Sequence, residues 1–171
     1  MALAATLRER AVRVECLDGD ELRHKLGKEL GFSRQDRMEN IHRAVYVSQL
    51  LNRNGITTII SMIAPYAEMR EYARAELENY VEIYVHCPLE ECIRRDVKGL
   101  YAKAIEGEIA EFTGISDVYD PPVTPDITIH TATSSVEANV QQIWAYVADR
   151  SNQRLDSFTP SNSVKDTGSY R

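Results

Sequence analysis

The sequence predicts an α/β domain built on a parallel sheet, and three observations carry that prediction. Short apolar or alternating runs, VRVECL (12–17), ITTIISMI (56–63), VEIYV (81–85) and ITIH (127–130), are separated by stretches of helical periodicity. The run at 56–63 is continuously apolar and β-branched, as expected of a strand buried on both faces of a parallel sheet. The first run ends in Asp18-Gly19-Asp20, two carboxylates at the end of a strand, where α/β sheets place their ligands.

Taken in order, residues 1–10 read as a helix, with Leu3 and Leu7 one turn apart. After the strand at 12–17, a second helix is expected over Glu21–Leu30, stopped by Gly31. Ser33 then looks like the N-cap of a long helix to Asn52, with Met38, Ile41, Val45 and Leu51 at helical spacing and Asn54-Gly55 behind it. Pro65 closes the strand at 56–63, and a helix from Ala67 to Asn79 follows. The third strand ends at Cys87-Pro88, with Pro88 placed to open a helix over 89–95. Residues 96–125 trade brief helical promise for Gly, Thr, Ser, Asp and Pro, which suggests a mobile lid or loop. After ITIH, Ser134 or Ser135 caps a last helix to about Ala148, whose buried stripe is Val136, Val140, Ile143, Trp144 and Val147. The expected division is one domain over 1–150 and a polar, disordered tail over 151–171.

Composition narrows the function. The chain has 171 residues, enough for one domain with a core; it is 43% hydrophobic and 27% charged, as globular proteins are. A net charge of −6 argues against a general nucleic-acid binder. No apolar run reaches the ~18 residues of a membrane span, and the first residues lack the apolar core of a secretory signal. Cys16, Cys87 and Cys92 form no CxxC, so reduced thiols in a cytoplasmic protein are expected. The four histidines make no HxH or HExxH, and no zinc site is supported.

The chemistry concentrates in Leu17–Arg43. Asp18 or Asp20 could hold Mg²⁺ through water or take a proton from an attacking hydroxyl; Asp20 could equally be an ordinary helix cap. Arg23 shares a face with Asp20, and Arg37 with Asn40. Arginine forks suit phosphate or sulfate, though salt bridges to Asp36 and Glu39 would also account for them. Phe32 and Phe112 sit in loops, where aromatics sandwich a base or border the core. Lys98, before Gly99 in the lid, could close over phosphates. Nowhere is there a GxxxxGK[ST] phosphate loop.

Together the blocks LDGDELR (17–23), LGFSRQDRMENIHR (30–43), IAPYAEMR (63–70), RDVKGLYAKAIEGEIAEFTGISDVYDPP (95–122) and SVEANVQQI (135–143) resemble the adenylyl-sulfate (APS) kinases. The resemblance covers about residues 3–148. It implies a P-loop kinase-like three-layer α/β/α fold and transfer of the γ-phosphoryl of MgATP to the 3′-hydroxyl of APS, giving PAPS in sulfate assimilation. On that basis Asp20 would assist the hydroxyl and the Mg²⁺ network, with Asp18 nearby, and Lys98 would reach the transferring phosphates. Arg23, Arg37 and Asn40 would hold the phosphosulfate and ribose, Phe32 and Phe112 would stack on the adenine, and Ile63 and Ala64 would line the pocket. Arg95, Thr131 and Ser134 would lie on the ATP side. APS and ATP would be the partners, with no nucleic acid or membrane, and two copies could pair as a homodimer.

Two departures stand out. Ala64 replaces the serine of many members. More consequentially, the family's first strand and Gly-rich loop are not found, so the chain is expected to lack roughly 20–30 N-terminal residues of the strand–loop–helix unit and to be impaired in transfer. The alternative is a catalytically inactive, APS- or PAPS-binding regulatory module, like the kinase-like domain of fungal ATP sulfurylases; a nucleoside kinase is disfavoured by Arg23, Arg37 and Asn40.

Overall fold

The computed structural model describes residues 2–157, with side chains to residue 150. Its elements, in chain order, are α1 (Ala2–Glu9), β1 (Val14–Asp18), α2 (Gly19–Leu26), α3 (Arg34–Asn52), β2 (Thr57–Ser61), α4 (Ala67–Glu76), β3 (Ile83–His86), α5 (Leu89–Arg95), α6 (Leu100–Ile105), β4 (Ile127–His130) and α7 (Val136–Ser157). β1 pairs in parallel with β2, Val14 opposite Thr57 through Asp18 opposite Ser61. β3 pairs in parallel with β4, Ile83 opposite Ile127 through His86 opposite His130.

Helices cover both faces, and strand periodicity decides which residue meets which layer. Ile60 and Met62 pack on Ile41 and Val45 of α3 and on Met69 and Ala73 of α4. Ile59, one residue away, joins Val14, Ala4, Leu7 and Trp144 on the α1 and α7 side. A third cluster seats Ile127 and Ile129 on Ile143. Met69 is fully buried, a placement that stabilises by about 1.5–3 kcal/mol. The α/β class and its layers are as expected, and no described helix is long and apolar enough to cross a membrane.

Several boundaries differ from the sequence reading. The strands form two separate two-stranded sheets among the described residues, β1-β2 and β3-β4. β2 is therefore half-buried, not buried on both faces: it has a partner on one side and a cavity on the other. That cavity, of about 2890 Å³, is lined by Ile59 and Ile60 on one side and Ile83 and Tyr84 on the other. α2 stops at Gly27, whose amide bonds to the Arg23 carbonyl, four residues before the expected Gly31. α7 continues to Ser157, past the expected end near Ala148. The tail expected to be disordered lies, for residues 158–171, outside the described residues. The lid at 96–125 contains α6, and its far end is strapped to the scaffold: Asp120 N donates to the Pro65 carbonyl (2.7 Å) and Arg70 donates to the Asp120 carbonyl (2.7 Å). Gly, Ser and Pro there buy tight turns that bond to neighbouring elements, which composition alone does not separate from looseness.

Gly19 shows why the Asp-Gly-Asp turn needs its glycine. A Cβ there would stand 2.6 Å from Met62 Cβ, at the end of β2. Gly19→Ala is expected to destabilise by about 1–3 kcal/mol through overpacking, read as a lower urea midpoint with an unchanged slope.

Candidate active site

The site gathers at the C-terminal end of β1. Asp18 there is the N-cap of α2, its Oδ1 accepting from the amides of Asp20 (2.9 Å) and Glu21 (3.1 Å). The capping role open to Asp20 thus falls to Asp18, and the Asp20 carboxylate is left 79% exposed. It meets Lys98 across the lid, Nζ to Oδ2 3.1 Å. Lys98 reaches it because Asp96 fixes the start of α6: the Asp96 carboxylate accepts from the amides of Tyr101 and Ala102 (both 3.0 Å), which lowers its pKa.

Next to this pair the arginines and aromatics form one assembly. The guanidiniums of Arg23 and Arg37 lie 4.8 and 5.6 Å from the centroid of the Phe32 ring, which is half exposed. Burial and then the proximity of Arg37 lower the Arg23 pKa, so two cations crowd a site suited to an anion. Arg23 also donates to the Gly31 carbonyl, fixing the loop before Phe32. Arg37 Nε donates to the Phe32 carbonyl (2.7 Å) and its NH2 to the Glu111 carbonyl (2.6 Å), immediately before Phe112. One guanidinium therefore ties both aromatic walls. Asn40 is buried on α3, and its Oδ1 has no hydrogen-bond partner among the described residues.

The remaining expected residues divide. Ile63 (65% exposed) and Ala64 line the cavity together with Asp20, Phe32, Arg37, Lys98 and Phe112; Asp18, Arg23, Asn40 and Ser134 do not line it. Arg95 and Thr131 meet at the ends of α5 and β4, Arg95 NH2 donating to the Thr131 carbonyl (2.9 Å), and both line the cavity. Ser134 sits on the turn after β4, its amide bonded to the His130 carbonyl. Sequence reasoning missed Tyr66, Arg70, Asp117 and Asp120, which stitch residues 64–67 to 117–120. Both blocks were visible in the sequence, but nothing in their spacing announces that they touch.

Arg95 is held by Glu91, whose carboxylate accepts from Arg94 (2.6 and 2.7 Å) and Arg95 (2.7 Å) and has its pKa pulled down to about 2. A depressed folded pKa means that the contribution is fully present above the ordinary 4.5 and is lost as pH falls from 4.5 toward about 2. An NMR titration of the Glu91 carboxylate is expected to show its midpoint well below 4.5, rising toward that value in Arg94→Ala/Arg95→Ala; an undisplaced midpoint in the unmutated chain would show that Arg95 is not fixed this way.

Among the described residues no three His, Cys, Asp or Glu side chains converge as a metal cage. An open carboxylate such as Asp20 nevertheless fits Mg²⁺, which retains waters and takes one or two carboxylates beside substrate phosphates.

Comparison with known proteins adds names to this geometry. The family model described as adenylylsulphate kinase matches residues 1–130. The probable adenylyl-sulfate kinase of Pseudomonas aeruginosa is 50% identical over 143 residues, 84% of this chain and 67% of that protein. That of Synechocystis is 46% identical over 148 residues, 86% of this chain and 84% of that protein. Among solved structures, the Mycobacterium tuberculosis APS kinase CysC in complex with AMPPNP and APS superposes with a TM-score of 0.81 at 38% identity, covering 85% of this chain and 86% of that one.

Proposed function

The chain belongs to the adenylylsulphate kinase family, and we propose that its site binds APS as the acceptor for a phosphoryl group from MgATP. The observation that carries this reading is the Asp20–Lys98 pair beside the Arg23–Phe32–Arg37 cluster at the end of β1. The adenine of APS would enter between Phe32 and Phe112, with Ile63 and Ala64 beside it. Its phosphosulfate would meet Arg23 and the N–H donors of Arg37 that the wall carbonyls leave over.

In the transfer, the 3′-oxygen of APS forms a bond to the γ-phosphorus as the bond from that phosphorus to the bridging oxygen breaks, giving PAPS and ADP. Asp20 takes the hydroxyl proton. Lys98, released from Asp20 when substrate arrives, carries its ammonium to the transferring oxygens, while Arg95, Thr131 and Ser134 border the ATP. Asp20 would hold Mg²⁺, which would supply charge neutralisation at the phosphates. Such a site works by positioning and electrostatics, with little covalent chemistry for the protein to do.

The 171 residues contain no GxxxxGK[ST] segment, and transfer by this polypeptide is proposed to be impaired while acceptor binding persists. That observation also favours a second reading, an APS- or PAPS-binding module without transfer. Calorimetry with APS, ADP and PAPS, run beside a coupled ATP-plus-APS assay, separates the two. Nucleoside binding without APS binding would sink both.

A further inference from the structure

The segment Phe112–Asp117 is a closed turn. The amides of Ile115, Ser116 and Asp117 all donate to the Phe112 carbonyl (3.1, 3.0 and 3.0 Å), and Phe112 N donates to Ser116 Oγ (3.0 Å). Gly114, at φ +84°, donates its amide to the Asp117 carbonyl (2.9 Å), a conformation few other residues adopt. Phe112 and Asp117 are thus the two ends of one unit, and whatever fixes Asp117 fixes the aromatic wall.

Asp117 is fixed by the scaffold. The Tyr66 hydroxyl, at the head of α4, donates to its carboxylate (2.8 and 2.9 Å), and Arg37 of α3 stands 3.8 Å away. Tyr66 is buried, with the Arg34 guanidinium 4.6 Å over its ring, and the Asp117 and Arg37 side chains are only 17% and 11% exposed. Tyr101 packs edge-on against Phe112 at 5.0 Å. A phenol-to-carboxylate bond at such a partly dry site is stronger than a neutral one.

From this geometry we infer that Asp117, latched by Tyr66, is a positioning residue that sets the Phe112 wall relative to Phe32; its effect on APS rests on the acceptor-site reading above. Asp117 need not touch the ligand. It transmits the position of α3 and α4 to a wall carried on a turn.

The test has two readouts in the 171-residue chain. Without ligand, Tyr66→Phe and Asp117→Asn are expected to speed hydrogen exchange at the amides of residues 114–117 while leaving those of β1 and β2 unchanged. With ligand, each variant is expected to weaken APS binding on the order of 10-fold, the loss of one charge-assisted bond. In a Phe112→Ala background the same substitutions should cost nothing further, because no wall remains to be placed; a general structural role would add its full loss there too. Unchanged exchange, undiminished affinity, or full additivity overturns the inference. Faster exchange in the variants of a chain that binds no APS would keep the latch and sink the acceptor-site reading instead.

Discussion

Mixed with MgATP and APS, the 171-residue polypeptide is expected to form PAPS at least ~10³-fold more slowly than the Pseudomonas aeruginosa relative assayed beside it, while still binding APS. The reason lies in where charge is handled. Transfer requires donors aimed at the β- and γ-phosphates, and removing a single preorganised donor from such a site costs about 10²–10³ in rate. Arg23 and Arg37 gather on the acceptor side, and Lys98 and Arg95 are the cations proposed to reach the phosphates. The 171 residues contain no GxxxxGK[ST] segment to add backbone amides and a second Lys there. Turnover within 10-fold of the relative would overturn the expectation.

The second large effect is expected at Arg37. Arg37→Ala removes the bonds to the Phe32 and Glu111 carbonyls and a cation facing the anion, and APS affinity should fall by about 100-fold or more. Arg37→Lys keeps the charge but not the fork, so it can hold the anion or one carbonyl without tying both walls; an intermediate loss of about 10-fold is expected. Calorimetry reads both variants, with thermal unfolding as the check that each has folded. An Arg37→Ala chain within threefold of the unmutated affinity would show that neither the walls nor the anion depends on this residue.

Local signals predicted well what local physics decides. Strand runs, the Ser33 cap of α3 and most of the α7 stripe (Val140, Ile143, Trp144, Val147) emerged where hydrophobic period and capping chemistry put them. Val136, expected in that stripe, is instead 61% exposed, because the first turn of α7 extends past the core. The end of α2 was misjudged because Gly27 and Gly31 are both competent stops, and only the bond from Gly27 N to the Arg23 carbonyl selects between them. The division into two sheets was not legible in strand character, since pairing is a property of neighbours. At the site, Asp20, Arg23, Phe32, Arg37 and Lys98 were recognisable as residue types suited to an anionic, aromatic ligand. What those types could not convey is that Arg37 commits two donors to main-chain carbonyls, or that the Tyr66 hydroxyl donates a hydrogen bond to Asp117, 51 positions away. Such tertiary polar contacts have no periodicity to betray them.

The first helix has a consequence of a different kind. Leu3 packs against both the cluster around Val14 and the cluster around Ile127, so α1 touches the cores of the two half-sheets at once. Each half-sheet closes its own ladder and its own crossover, and the eight residues of α1 are one of the places where the two are joined. α1 shares this bridging with α7, whose Trp144 meets the Val14 cluster while Ile143 and Val147 meet the Ile127 cluster. It shares it also with Arg70 and Arg74 of α4, which pair with Glu82 and Asp126. Fraying of α1 alone would loosen the joint between the halves without severing it.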